Sequence, residues 1–528
     1  MVRSANYQNQ PPRGQSDTGS MLLADFGELI VKLAYGLLIA VWWAVLFPML
    51  SLPVAGAVAL GWWRGWPYGV AAGVGALLVW GWWRLAWPRS FERWVSARIR
   101  YRYRRYWRYT RRWREVMALQ HLTAEIDTRV LTPPVYSTRI GRIADVLEIG
   151  LLHGQKVETW ANRSEELRHS FRAVALRIRH TTSGRVRVEV IHTDILRNPI
   201  PLPRELCSAK TVDLESIPVG MTQLGKPWRL PLLGTHVLVA GEMGSGKGSV
   251  AWSIIAALMP AITRGIVVVW TCDPKGGAEF GFGMHWFDRF AYDNSGGALE
   301  MLREAARIML ARLARMREHS RKLIPSFEEP MILLIIDEAA SLTEYYSDKR
   351  VKEEIERLLG LLLTMGRAAG VVVVGCVQDP SKEVMRLRQL YPTRIGLRLS
   401  EATQVAMVFG PSGRDRGALC DLISRKTPGV GYVQITPGND PKVPETNEDE
   451  ELTSEIERVR AFHVTDDDIR WMIATFTPPR RYSGDAVAGD PVVIDLDDYL
   501  WTDNGNNNSG IGRSGRNGSA RDGKGRNR

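Results

Sequence analysis

The residues best suited to chemistry are Gly241, Glu242, Met243, Gly244, Ser245, Gly246, Lys247, Gly248 and Ser249, a run that directly follows the apolar stretch 236–240. A strand that ends in closely spaced glycines and opens into a helix leaves backbone N–H groups free to converge on an anion, and the helix dipole adds positive potential there. That is a cradle for phosphate. Lys247 supplies a point charge for β- and γ-phosphates, and Val250, Ile254, Ile255 and Leu258 have the one-faced spacing of the helix that follows. The strict pattern places Ser or Thr after the lysine, to hold magnesium through a hydroxyl. Here that position is Gly248, which leaves Ser249 or a water to stand in.

A second group lies about ninety residues on. The apolar run 332–336 ends in Asp337-Glu338. An aspartate at the C-terminal end of a core strand holds magnesium directly or through water, and the adjacent glutamate orients and deprotonates an attacking water. Gln378 ends the next apolar run, where an amide can sense the γ-phosphate. Together these residues imply ATP and Mg2+ as cofactors and a hydrolytic reaction.

The elements that must position them alternate from Thr235 onward. Strands are expected at 236–240, 265–272, 331–336, 371–377 and 393–399, nearly all continuously apolar, as in a parallel sheet covered on both faces. A helix with Leu299, Leu302, Ala306, Met309, Leu313 and Met316 on one face lies between the second and third strands, and this stripe reads as core. Before this region, 124–213 reads as a small α+β domain, with strands at 135–139 and 186–192 and a helix at 162–178.

The N-terminal part is different. Residues 1–25 read as a disordered tail without the pattern of a signal peptide. No charge occurs between Lys32 and Arg64, or between Arg64 and Arg84, and about 20 apolar residues cross a bilayer. Two spans are expected, near 30–50 and 66–85, with 53–65 as a short turn and tryptophans as interfacial belts. Residues 84–114 then hold 12 Arg against Glu92 alone. Positive residues stay on the cytoplasmic side, so a multi-pass cell-membrane protein with both termini in the cytoplasm is expected. The aromatic-interleaved arginines of this juxtamembrane linker, 89–123, suit anionic lipid or the phosphates of DNA.

That stretch (+11) and the last 27 residues (+4) together exceed the net charge of +12, so the remainder of the chain, which includes the phosphate cradle, is close to neutral at −3. Cys207, Cys272, Cys376 and Cys420 are far apart, which fits reduced thiols better than a zinc site or a disulfide framework.

Several motifs recur in the order found in one family. They are Asp273-Pro274-Lys275, Ile335-Ile336-Asp337-Glu338-Ala339-Ala340, Arg367-Ala368-Ala369-Gly370, Gln378-Asp379-Pro380-Ser381, Pro392-Thr393-Arg394-Ile395 and Phe462-His463-Val464-Thr465-Asp466-Asp467-Asp468-Ile469. Through them, residues 124 to about 478 resemble the motor portion of FtsK/SpoIIIE-type membrane DNA translocases, especially the short members that move double-stranded DNA in conjugation. The resemblance implies a RecA-like P-loop NTPase domain at 214–478, a homohexameric ring with ATP between subunits, double-stranded DNA through the centre, and a role in conjugative transfer or chromosome segregation. Type VII secretion ATPases share the family, so a membrane platform that moves protein cargo is the alternative. An arginine finger acting on a neighbour's site would be Arg367 or Arg394, and Lys382, Arg386 and Arg388 would face DNA. The sequence departs from the family in Gly248, in a membrane region shorter than four spans, and in a low-complexity tail at 479–528 with no room for a sequence-reading winged helix. A separate sequence-recognising protein is expected as partner.

Overall fold

The computed structural model describes residues 34, 36–38, 41, 42, 44–126, 129–292, 296–344, 348–381, 386–435 and 456–479. The expectations for 1–25, for most of the first span, for the tail beyond 479, for Lys382 and for the side chain of Arg386 lie outside the described residues. The chain forms two units, Met1–Thr193 and Asp194–Arg528.

In the first unit, helix α1 (Pro48–Arg64) and helix α2 (Trp66–Ala86) make a hairpin whose turn is Gly65, at φ 106°. The short turn expected at 53–65 is therefore helix up to its last residue. Within it, Gly61 serves close packing against α2. A Cβ on Gly69 would lie 2.8 Å from both the Gly61 Cα and the Ala57 carbonyl oxygen, so only a small residue lets the two helices approach. Among the described residues, α2 is the one helix long and apolar enough to cross a membrane, and none of its residues is buried.

After α2 the arginine-rich stretch stays largely helical, with π-helical turns at Glu92–Ser96 and Arg105–Thr110. It leads to an antiparallel sheet of β1 (Val135–Ile140), β2 (Ala144–Gly150), β3 (Ala175–Thr182) and β4 (Arg185–Ile191), in the order β1-β2-β4-β3. The helix expected at 162–178 is a single short one, Ser164–Ser170, followed by β3. From Ala175 the pattern has period two, and Leu176 and Ile178 pair with Val190 and Val188 of β4, a register that a helix cannot satisfy.

Part of the arginine-rich stretch is built into this unit. Tyr109 and Trp113 are buried in its core with Trp160 and Phe171. Asp145, fully buried, accepts from Arg104 (3.0 Å), from the Tyr109 hydroxyl (2.9 Å) and from His192 (2.7 Å). Burial opposes the charge of Asp145, but its bond to His192 and the attraction of His192 and Arg104 outweigh it and hold its pKa below the ordinary carboxylate value. A lowered pKa means stability that is present above the ordinary carboxylate value and is lost as pH falls through the lowered one. Asp145→Ala is expected to cost on the order of 3 kcal/mol, because it leaves the Arg104 charge without its buried partner. Denaturant titration of the full chain, followed by tryptophan fluorescence, checks this, and an unchanged midpoint would rule it out.

The second unit holds an 11-stranded sheet. Its elements in chain order are β5 (Ile217–Thr222), β6 (Pro227–Leu230), β7 (Val237–Ala240), α3 (Lys247–Ile262), β8 (Val267–Cys272), β9 (Arg289–Ala291), α4 (Gly297–Met316), β10 (Met331–Ile336), α5 (Lys349–Met365), β11 (Val371–Val377), β12 (Thr393–Gly396), α6 (Ala402–Phe409), β13 (Val430–Ile435), β14 (Ile456–His463) and α7 (Asp466–Thr475). The strand order is β9-β8-β10-β11-β7-β12-β13-β14-β5-β6, with Ile200–Pro201 pairing beside β14. Neighbours from β9 to β12 are parallel, and from β12 to β6 antiparallel. The parallel strands β7, β8, β10 and β11 are buried along their whole length, which explains their uninterrupted apolar sequences. One core, around α3, and another, around α4 and α5, cover the two faces. Leu202 and Cys207, expected with the small domain, lie in the core around α3, so residues from 194 onward pack with this unit.

Candidate nucleotide site

The parallel register brings the proposed chemistry to one edge. Ala240 of β7 pairs with Val377 of β11, Ile336 of β10 with Gly375 of β11, and Cys272 of β8 with Ile336. Gly241, Gln378, Asp337-Glu338 and Asp273 therefore all follow the C-terminal ends of adjacent strands, where open parallel sheets bind ligands. One strand, β11, separates the cradle strand β7 from β10, placing Asp337 and Glu338 about 10 Å across the sheet from the loop, with Gln378 between.

The loop 241–246 takes its shape from two glycines with left-handed backbone, Gly244 (φ 71°) and Gly246 (φ 101°). Gly246 also has no room for a side chain, since a Cβ there would lie 2.4 Å from the Gly429 nitrogen. The turn before β13 braces the loop, with Gly429 N–H donating to the Ser245 carbonyl at 2.8 Å. On the other side Glu242 accepts from Arg398 Nε at 2.9 Å and from the Ser400 hydroxyl, and these bonds hold its pKa below the ordinary value. Met243 is exposed at the loop tip. Ser245 is buried, and its hydroxyl has no hydrogen-bond partner among the described residues. An unpaired buried oxygen at a phosphate loop fits a site that a ligand completes.

Lys247 opens α3 and is buried. Its ammonium donates to the carbonyls of Gly241 (2.7 Å) and Glu242 (3.1 Å). Burial pushes its pKa below the ordinary lysine value, against the pull of Glu338 and Asp337. An anionic phosphate in the cradle would reverse that penalty and compete for the same N–H groups.

Glu338 sits at φ 65°, a left-handed conformation that costs a residue with a side chain on the order of 1 kcal/mol. This places its carboxylate against β11, where Oε1 accepts from the Gln378 N–H at 3.1 Å, and Oε2 accepts from Lys275 Nζ at 3.2 Å. Lys275 also stands 3.9 Å from Asp337. Burial raises the Asp337 pKa above the ordinary carboxylate value; Lys275 works against this and Asp273 adds to it. A cation would lower it.

The site also contains residues that sequence reasoning left out of it. Asp273 belongs to a motif, yet its role is visible only in the structure. Its Oδ2 accepts from the N–H groups of Glu279 (2.9 Å) and Phe280 (3.0 Å), and its Oδ1 from Lys275 N–H (3.3 Å), so it organises the loop after β8. Asp273→Ala strands these three donors and is expected to cost on the order of 2 kcal/mol. Thermal unfolding together with limited proteolysis in 275–280 tests it, and wild-type behaviour in both would remove Asp273 from this role. Lys275 and Glu279 are the other two, and spacing alone gave no signal for either.

No family model matches the chain. In sequence, residues of this chain are 25% identical over 307 positions to the DNA translocase FtsK of Staphylococcus aureus (strain Mu50 / ATCC 700699), covering 53% of this chain and 38% of that protein. The chain is similar to FtsK-type DNA translocases. FtsK of Campylobacter jejuni subsp. jejuni (strain 81-176) is likewise 25% identical over 304 residues, covering 53% of this chain and 31% of its own length. The match thus spans less than half the length of these relatives. Among solved structures, the pCW3 conjugation coupling protein TcpA, in its monomer form with ATPγS, is 20% identical with a TM-score of 0.44, covering 69% of this chain and 98% of that one.

The FtsK likeness directs attention to the basic residues named from its motifs, and the structure places them in varied settings. Arg367 lies before β11, at the sheet edge opposite the cradle, and donates to the Gly234 carbonyl at 2.8 Å. Arg394, at the start of β12, donates to the carbonyls of Tyr391 (3.1 Å), Val408 (3.0 Å) and Gln389 (3.4 Å). Those bonds tie the turn before β12 to the end of α6, a job within the chain's own fold. Arg388 is buried, with its Nε on the Met407 carbonyl at 3.1 Å. It is built into the unit, and a charge in the sequence does not reveal which carbonyls it serves.

Proposed function

We propose that the chain is a membrane-anchored ATPase motor that translocates double-stranded DNA, working as a homohexamer. The observation that carries the ATPase reading is the meeting of the Lys247 cradle with Asp337, Glu338 and Gln378 along one edge of the parallel sheet. The cradle N–H groups and Lys247 bind the phosphates of ATP, and the Glu338 carboxylate takes a proton from the water that attacks the γ-phosphate. Gln378 positions Glu338 through its backbone N–H and holds an amide at the strand end. Lys275, on the same carboxylate, must yield as Glu338 turns to water, so this ion pair acts as a restraint on hydrolysis between cycles. Asp337 is suited to magnesium, which when bound offsets charge on the phosphates.

The DNA substrate is supported by the sequence likeness to FtsK, and conjugative transfer or chromosome segregation follows as its use. The membrane anchor is supported by α2, which exposes Val70, Val74, Leu77, Leu78 and Trp82 to its surroundings. A second chain segment ahead of it and a cytoplasmic motor complete the proposed topology. Arg367 and Arg394 are the two candidates for the finger that reaches a neighbour's ATP, and a separate protein would select the DNA sequence.

The test is ATP turnover by the detergent-solubilised full chain with and without linear duplex DNA. Stimulation by DNA supports the reading. Turnover indifferent to DNA supports protein cargo and overturns the DNA part, and absence of turnover under both conditions overturns the motor.

A further inference from the structure

Gly248 stands where a phosphate loop ordinarily offers its magnesium-binding hydroxyl. The space that a side chain would take there is already filled. A Cβ built on Gly248 would lie 1.6 Å from Oε1, 2.4 Å from Cδ and 3.0 Å from Oε2 of Glu279. A carboxylate from the loop after β8 thus reaches over the first turn of α3 into the position that serine or threonine would occupy.

Its placement is not a chance of a long side chain. Phe280, the next residue, is fully buried and packs on Trp252, with ring centroids 5.6 Å apart. Trp252 is four residues on from Gly248, so the two share a face of α3. Phe280 on Trp252 therefore seats Glu279 over Gly248, while Asp273 holds the N–H groups of both Glu279 and Phe280. Ser249 is one residue further along the helix, about 100° around its axis from Gly248, and does not share that direction.

We propose that Glu279 replaces the missing hydroxyl, holding the magnesium of bound ATP directly or through water, and that position 248 is glycine to admit it. This rests on the ATPase reading above. Magnesium takes hard oxygen ligands and is commonly held by one or two carboxylates together with substrate phosphates. Glu279 and Asp337 would be those two. An anionic oxygen in place of a neutral hydroxyl also makes nucleotide binding depend more strongly on the metal, because without the cation Glu279 faces the phosphates as like charge.

The inference is tested by the affinity of the full-length protein in detergent for a fluorescent ATP analogue, with Mg2+ and with EDTA, and by electron paramagnetic resonance of Mn2+ bound in the presence of ATPγS. For wild type, affinity is expected to be higher with Mg2+. Glu279→Ala is expected to weaken the metal by roughly 10- to 100-fold, as lost metal partners do, with no loss of affinity in EDTA. Gly248→Ser should impair metal binding, since the new side chain meets Glu279, whereas the double variant Gly248→Ser, Glu279→Ala should recover at least part of it. A full Mg2+ enhancement and an unchanged Mn2+ spectrum in Glu279→Ala would overturn the proposal while leaving the ATPase reading intact. A double variant that binds metal no better than Glu279→Ala would also count against it. If wild type binds the analogue in neither buffer, the ATPase reading itself fails and the proposal falls with it.

Discussion

Glu338→Gln is expected to bind ATP like the wild type and to hydrolyse it at least ~100-fold more slowly, the lower range of what a positioned general base contributes. Glutamine has the same shape, tolerates the left-handed backbone at position 338 as well as glutamate does, and still offers an oxygen to the Gln378 N–H. It cannot take the proton of the attacking water. The change also removes the ion pair to Lys275, so any loss of rate cannot be ascribed to a tighter restraint. Nucleotide binding by filter retention, together with single-turnover hydrolysis, separates the two steps. Wild-type turnover would take Glu338 out of the reaction.

Lys247→Ala should have its large effect one step earlier, on binding. Hydrogen bonds to charged groups contribute up to about 3 kcal/mol each, and losing such a contact to phosphate corresponds to roughly a 100-fold weaker affinity. The stability of the fold should change little. The ammonium now lies buried with a depressed pKa, and its removal relieves that cost while the Gly241 and Glu242 carbonyls lose their donor. Calorimetric titration with ATPγS and a thermal melt on the same sample test both halves. Undiminished affinity would mean that the loop amides alone bind the phosphates.

The sheet was legible in the sequence for a physical reason. Strands buried on both faces need unbroken apolar runs, and β7, β8, β10 and β11 begin and end within two residues of where those runs do. The cradle was legible because only glycine adopts the backbone it needs cheaply. What was not legible depends on distance in space. Gly248 and Glu279 are far apart in the chain, and nothing local links them. The carbonyls that Arg388 and Arg394 serve were not legible either, because burial and hydrogen-bond partners leave no mark on spacing. In the first unit, the helix expected at 162–178 runs over the first four residues of β3, and the segment 53–65, expected as a turn, is helix in which Gly61 packs closely on Gly69.

The grip on the chain where it joins the second unit bears on mechanics. Arg458 of β14 holds both carboxylate oxygens of Asp194 at 3.1 Å, Arg460 donates to the Leu196 carbonyl at 2.7 Å, and Ile200–Pro201 runs alongside Phe462–His463. Tension applied through a tether ahead of Asp194 is therefore taken up on the antiparallel half of the sheet, as shear along β14. The strand ends that lead into Asp337 and Glu338 belong to the parallel half and lie off that line, whereas the cradle is coupled to it: Ala461 of β14 donates to the Gly429 carbonyl at 3.0 Å, Gly429 braces Ser245, and the Ser253 hydroxyl of α3 donates to the Phe462 carbonyl at 3.3 Å. Strain entering the unit at Asp194 would thus reach the phosphate loop through β14 and the Gly429 turn, while Asp337 and Glu338, at the end of β10, keep their register with β11.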